Sequence, residues 1–217
     1  MIESYDAVEE QFLFAATYTP GTADGSRPGL FQFNASQFGG HQVSATSLYL
    51  HEGVPGHHYQ IMLAREAEGP PWHMQQTGLT SYIEGWALYA ETLGYDLLLY
   101  EDPLIEYGHL RLQLLRLVVD AGIHDQGWSR QQAIQFMIDN GPHGNGISGE
   151  IDRYIAIPSQ ALGYWLGQER FAQMRARAEN DLGAGFDLGA FHHEMIGIGT
   201  VPFPVLGSKL DAWIASQ

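Results

Sequence analysis

The chain has 217 residues, 45% of them apolar, no cysteine, and a formal charge of −15 from 10 basic and 25 acidic side chains. This length and apolar share suit one substantial core and exclude a disordered chain, and the absent thiols exclude disulfides and thiolate metal sites. The acidic balance argues against nucleic acid, whose phosphates demand a basic patch, and no apolar run reaches the roughly 18 residues of a membrane span.

In chain order, the first predicted element is a short β-hairpin within residues 12–34. Phe12-Leu13-Phe14 and Leu30-Phe31-Gln32-Phe33 flank a stretch rich in Pro, Gly and Asp, from Thr19 to Gly29. From residue 45 to 217 the pattern is helical. Leu79, Tyr82, Ile83, Trp86 and Tyr89 form one apolar face, and Leu110, Leu114, Leu117 and Val118 form another. Gly69-Pro70-Pro71 stops the helix after His58, Ser129 with Gln132 forms a capping box, and Gly141 onward stops that helix. A further helix is expected from about Glu150 to Ala178, kinked or divided at Pro158. The whole is expected to be a single domain. The opening Met1-Ile2-Glu3-Ser4 shows no basic-then-apolar signal order, and its abruptness suggests a piece of a longer polypeptide. The compartment, cytoplasmic or periplasmic, is left open.

With no thiolates, a metal must be held by His and carboxylates. The segment His51-Glu52-Gly53-Val54-Pro55-Gly56-His57-His58 is the strongest local signal. An H-E-x-x-H helix places two imidazoles one turn apart on Zn²⁺, with the Glu beside them to deprotonate bound water. Here Pro55 breaks that spacing. A straight helix would turn His57 roughly 240° away from His51, but Pro55 lacks the N–H that would bond to the His51 carbonyl, and Gly56 admits unusual backbone angles. The helix is therefore expected to be interrupted, so that His57 swings back to the metal. His58, two turns from His51 on the same face, is the rival ligand. The competing reading is a turn that happens to carry three His.

A catalytic zinc takes three protein ligands and keeps one position open. Glu84 and Glu91, seven apart and so on one helical face amid apolar neighbours, are the carboxylates that could complete it, unless they merely pair with Arg111 or Arg116. Peptide hydrolysis also needs donors for an oxyanion, and Tyr154 and Tyr164 are candidates, each also readable as a core residue. Asp120, His124 and His192 carry weaker signals, His124 as a satisfied helix-end residue and His192-His193 as a surface pair.

These stretches together resemble the C-terminal part of the bacterial family called domain of unknown function 885. The resemblance runs from about Tyr18 to Ile214. It is carried by Asp24 to Gly29, His51-Glu52 with Pro55 to His58, Glu84 to Ala87 with Tyr89 and Glu91, Asp120 to His124, Arg153-Tyr154 with Pro158, Gln160 to Leu162, and Phe191-His192. It implies a missing N-terminal helical portion. The order of parts is also similar to helical peptidases of the thimet oligopeptidase, carboxypeptidase Taq and angiotensin-converting enzyme type. That likeness implies Glu84 as the third ligand, Glu91 as the second acidic residue of the carboxypeptidase Taq pattern, and Tyr164, then Tyr154, as oxyanion donor. Pro55 departs from those families.

The expectation is a mainly α, zincin-like helical metallopeptidase catalytic portion, with the hairpin offering an edge strand to a peptide substrate. Zn²⁺ is held by His51, His57 and Glu84, Glu52 is the general base, and Arg153 meets a substrate carboxylate. A metal-dependent hydrolase of non-peptide esters or amides, and a non-catalytic helical binding domain, are the two alternatives.

Overall fold

The computed structural model describes residues 1–6, 8, 16–22, 24–35, 45–66, 78–100, 103–141 and 146–217, and over 103–112 its backbone alone. The fold is mainly helical, with one small sheet. Strands β1 (Ile2–Ser4), β2 (Ala16–Thr19) and β3 (Leu30–Phe33) lie in the order β1-β3-β2. The expected hairpin is the antiparallel β2–β3 pair, with Ala16 opposite Phe33 and Thr19 opposite Leu30. Its tip is closed by Thr22 N donating to the Arg27 carbonyl at 2.9 Å, with Gly25 at φ 72°, a left-handed angle that glycine adopts without penalty. Phe12 to Phe14 lie outside the described residues. The sheet also holds a strand that the sequence did not announce: β1 runs parallel to β3 with Ile2 opposite Phe31. Three residues are too few for a period-2 pattern to register.

Helices α1 (Ala45–Glu52) and α2 (His57–Glu66) are separated by the Gly53–Gly56 turn, whose Val54–Pro55 peptide is cis. They are followed by α3 (Thr80–Asp96), α4 (Pro103–His124), α5 (Arg130–Asn140), α6 (Ile147–Ala156) and α7 (Gln160–Leu182). Helices α8 (Leu188–Ile196) and α9 (Phe203–Ile214) close the chain. The stop at Gly69 to Pro71 lies outside the described residues; the capping box at Ser129 and the end at Gly141 are present as read. Pro158 divides the long predicted helix into α6 and α7. Ser159, at φ 68°, sits at the division, and its N–H donates to the buried Asp120 carboxylate at 3.1 Å.

Two cores result. Tyr82, Trp86 and Tyr89 of α3 pack with Phe171 of α7, Phe191 and Met195 of α8, and Leu206 and Leu210 of α9. Leu115 and Val119 of α4 pack with Ala133 and Met137 of α5, Ile151 and Tyr154 of α6, and Ala161 of α7. The α4 face therefore differs from the one expected, since Leu114 and Val118 are 41% and 45% exposed. The buried face instead mixes Leu115 and Val119 with Gln113 and Asp120, so polarity concealed it; the side chain of Leu110 lies outside the described residues. Helix α7 belongs to both cores and runs against α3 along a seam of glycines. A Cβ on Gly85 would reach the Gln168 nitrogen at 2.9 Å, and one on Gly167 would come within 2.7 Å of Gly85 Cα. No helix among the described residues is long and apolar enough to cross a membrane.

Candidate metal centre

The interruption between α1 and α2 shapes the site. Gly53 N still bonds back to the Tyr49 carbonyl at 2.8 Å, but at Pro55 the ladder has no donor. The chain folds closely onto the end of α1: a Cβ on Gly56 would collide with the carbonyl oxygens of Leu50 and His51. A new helix then starts, with Gln60 N bonded to the Gly56 carbonyl at 2.9 Å. The Trp86 indole Nε1 of α3 donates to the Pro55 carbonyl at 2.8 Å and ties the turn to the helix that carries Glu84. His51, in the last turn of α1, and His57, the first residue of α2, meet edge to face with ring centres 4.8 Å apart.

Both imidazoles turn Nε2 toward one carboxylate oxygen. His51 Nε2 lies 3.4 Å, and His57 Nε2 3.3 Å, from Glu84 Oε2, and all three donors fall within 4.8 Å of one another. Tetrahedral zinc with bonds of 2.0–2.1 Å has ligand-to-ligand edges of about 3.3–3.4 Å, whereas a charged imidazole–carboxylate hydrogen bond closes to about 2.7–2.9 Å. The same His51 ring provides the contrast, because its Nδ1 lies 2.7 Å from Glu91 Oε1. Two imidazole nitrogens and one carboxylate oxygen, with both nitrogen-to-oxygen separations at a tetrahedral edge length, are a donor set that fits zinc.

Glu91 also accepts from the buried Ser47 hydroxyl, so the His51 ring is held from its far side by an anchored carboxylate. Neither Glu84 nor Glu91 pairs with Arg116, which faces Glu150 instead; the side chain of Arg111 lies outside the described residues. Burial disfavours a charged His51, but Glu84 and Glu91 outweigh it and hold the imidazole well above its ordinary value. Burial also opposes the charge on Glu84, and the two imidazoles hold its carboxyl well below the usual range. Glu52, at the end of α1 and 8% exposed, is raised by burial against the pull of His51 and His57. No hydrogen bond to its carboxylate is made among the described residues, so it is available to accept a proton.

His58, the rival ligand, is turned away: its Nδ1 lies 2.7 Å from the Tyr18 hydroxyl of β2. Tyr164, near the start of α7, stacks on His51 with ring centres 6.4 Å apart, and burial pushes its phenol up to about 12. Its hydroxyl accepts from Gln160 Nε2 at 3.2 Å. Tyr154 is placed differently, inside the second core, with its carbonyl bonded to His124 Nε2 at 2.9 Å. Arg153 gives its fork to Glu150 and Gln160, both at 2.8 Å, rather than holding it open for a substrate. His192 is no surface residue; it is buried edge-on to Trp86 and hydrogen-bonded to the Tyr89 hydroxyl at 2.9 Å.

Sequence reasoning missed Ser47, the Trp86 tether and the Gly85/Gly167 seam. Of these, only the seam left a readable trace, in Gly163 and Gly167, four apart on one face of α7 and both against α3. Arg116 entered that reasoning only as a partner for Glu84 or Glu91, yet it lies over the Tyr164 ring at 5.1 Å.

Residues 1–210 match the family described as "Bacterial protein of unknown function (DUF885)". Among curated proteins none matches. A solved structure described as a "putative lipoprotein from Colwellia psychrerythraea" is 35% identical with a TM-score of 0.91, over 100% of this chain and 38% of that one. A second, a "putative lipoprotein of unknown function from Shewanella oneidensis", shares the fold at a TM-score of 0.70 and 21% identity, over 96% of this chain and 40% of that one. The chain thus spans about two fifths of the length of these solved relatives.

Proposed function

The chain belongs to the DUF885 family, and we propose that it is the catalytic portion of a zinc-dependent hydrolase, a metallopeptidase of zincin-like helical type. The observation that carries this reading is the convergence of His51 Nε2 and His57 Nε2 on Glu84 Oε2, each at 3.3–3.4 Å, a ligand spacing rather than a hydrogen-bond spacing, with all three atoms within 4.8 Å of one another. Zinc, when bound, would acidify a water and polarise the scissile carbonyl. The chain's own residues do the rest. Glu52, buried and with its carboxyl raised, accepts the water proton and returns it to the leaving amine. Tyr164 keeps its phenolic proton at neutral pH and so can donate to the oxyanion. The Glu91 carboxylate fixes His51 with the Nδ1 proton outward and Nε2 inward. Among the described strands β2 lies at a sheet edge, and its Tyr18 reaches His58 at the start of α2, which supports an extended peptide as the substrate. The relatives' description as lipoproteins favours a periplasmic setting over a cytoplasmic one.

The test is elemental analysis with activity on a panel of peptide and ester substrates, for the parent chain and Glu52→Gln. About one zinc per chain is expected in both, with turnover of the variant reduced by roughly 10²-fold or more. Parental turnover by Glu52→Gln would sink the mechanism; failure of a metal-replete chain to take up zinc would sink the reading as a whole.

A further inference from the structure

One buried cation beside the site has no work in this mechanism. Arg116 of α4 has a side chain only 15% exposed. Its Nη1 donates to Gln113 Oε1 at 3.1 Å, while its Nη2 stands 3.7 Å from Glu150 Oε2, beyond hydrogen-bond reach. Glu150 is drawn instead to Arg153 at 2.8 Å. Arg116 Nε is buried with no hydrogen-bond partner. Other described cations are better served: Arg130 holds Asp152 in a two-point grip, Arg175 sits between Asp96 and Glu179, and Lys209 meets Glu194 at 2.5 Å. A guanidinium taken out of water with its Nε unpartnered and its nearest carboxylate held at 3.7 Å gains from a counter-charge that comes within hydrogen-bond reach. Burial works against its charge, and the oxygens of Tyr154, Glu150 and Tyr164 around it favour it.

The position of Arg116 indicates which counter-charge. Its guanidinium carbon lies 5.1 Å over the Tyr164 ring, and the same ring stacks on His51 at 6.4 Å. The guanidinium is therefore within about 12 Å of the His51 ring. That figure is an upper limit, and since a metal-to-carbonyl contact and a guanidinium–carboxylate contact fill about half of it, at most one or two residues of about 3.3–3.6 Å each fit between the two.

We propose that Arg116 receives the free terminal carboxylate of the substrate, so that the protein acts on peptides or acylated amino acids whose scissile amide lies one or two residues from that carboxylate. This assignment rests on the hydrolase reading of the His51, His57 and Glu84 centre. Guanidinium binds carboxylate through two parallel hydrogen bonds, which an amide terminus cannot reproduce. Arg153, with its fork already on Glu150 and Gln160, acts as wall rather than receptor.

The experiment titrates the zinc-loaded 217-residue chain, in the Glu52→Gln background to prevent turnover, with acetyl-Ala-Ala, its C-terminal amide, and acetyl-Ala-Glu-amide. The free acid is expected to bind about tenfold or more tighter than the amide. Arg116→Gln should abolish that preference, and Arg116→Lys, which keeps the charge but not the fork, should retain part of it, with both variants checked for folding by their melting transitions. Equal or absent binding of acid and amide, or a preference that survives Arg116→Gln, would overturn the proposal. Binding of acetyl-Ala-Glu-amide as tight as the free acid would overturn the assignment to a terminal carboxylate. Zinc stoichiometry on the same samples keeps the two ideas apart, because loss of zinc counts against the hydrolase reading, whereas zinc without an acid preference counts against the Arg116 site alone.

Discussion

Replacing Glu91 tests the centre without touching any of its proposed ligands. Glu91 Oε1 meets His51 Nδ1 at 2.7 Å, and its Oε2 accepts from Ser47 Oγ. Glu91→Ala removes the acceptor that orients the imidazole and leaves two donors behind. A hydrogen bond to a charged group is worth about 1.5–3 kcal/mol, which corresponds to roughly 10–100-fold in zinc affinity, the range expected when the partner behind a metal-binding His is lost. Glu91→Gln presents one oxygen where there were two, so it can keep one of the two hydrogen bonds and should fall between parent and Ala. The assay is competition for zinc against a chromophoric chelator, with stoichiometry measured separately. The dissociation constant should rise in the order parent, Gln, Ala, while stoichiometry stays near one. Parental affinity in Glu91→Ala would refute the orienting role, and complete loss of zinc would make Glu91 a ligand.

His57→Ala should abolish stoichiometric zinc while His58→Ala spares it, because His58 Nδ1 is engaged by Tyr18; the opposite result by elemental analysis would exchange the two. In the zinc-free chain His51 carries a proton that Glu84 and Glu91 stabilise, so zinc affinity should fall as pH drops through that raised pKa, and binding below it should release a proton, measurable by calorimetry in two buffers. Burial, with Arg175 nearby, pushes His192 down from 6.5 to about 4. It stays neutral in the fold but protonates in the unfolded chain, so its contribution of about 3 kcal/mol is present above pH 6.5 and lost as pH falls toward 4. Denaturant titrations of His192→Gln should show a flatter acid limb; an unchanged slope would refute this.

What the sequence made legible was chemistry that acts locally. The break after Glu52 followed from the missing N–H at Pro55, which acts through adjacent backbone; Gly56, expected for its backbone freedom, is needed instead because a Cβ there would collide with the Leu50 and His51 carbonyls. The capping box at Ser129 and the division at Pro158 were readable for the same reason. Periodicity failed where faces compete: on α4 it selected Leu114 and Val118, although Gln113, Leu115, Val119 and Asp120 are the buried set. Residue types alone could not separate Glu84 from Glu91, which share a helical face and meet different nitrogens of His51, Glu84 together with His57 and Glu91 together with Ser47. Tyr154 and Tyr164 were likewise equivalent as residue types, ranked only by the family resemblance, and the turn at Ser159 sends one into the second core and the other onto His51. Arg116 was legible only as a partner for Glu84 or Glu91, because an unpartnered guanidinium nitrogen is a property of its surroundings.

Helix α3 explains how elements so far apart in sequence reach one point. Successive residues of a helix point about 100° apart, so Glu84, Gly85 and Trp86 face three different neighbours. Glu84 faces the two imidazoles at 3.3–3.4 Å, Gly85 lies against Gly167 of α7, and Trp86 reaches the Pro55 carbonyl at 2.8 Å. Two turns further on, Glu91 meets the other nitrogen of His51. One rigid element thereby sets the direction of His51, the turn that delivers His57, and, through the glycine seam, the approach of α7 with Tyr164. A side chain larger than hydrogen at position 85 or 167 would push α7 outward and withdraw Tyr164 from His51 while leaving the three ligand donors on α1, α2 and α3. The ligand set and the oxyanion donor are therefore separable parts of the site, joined only by how closely α3 and α7 can pack.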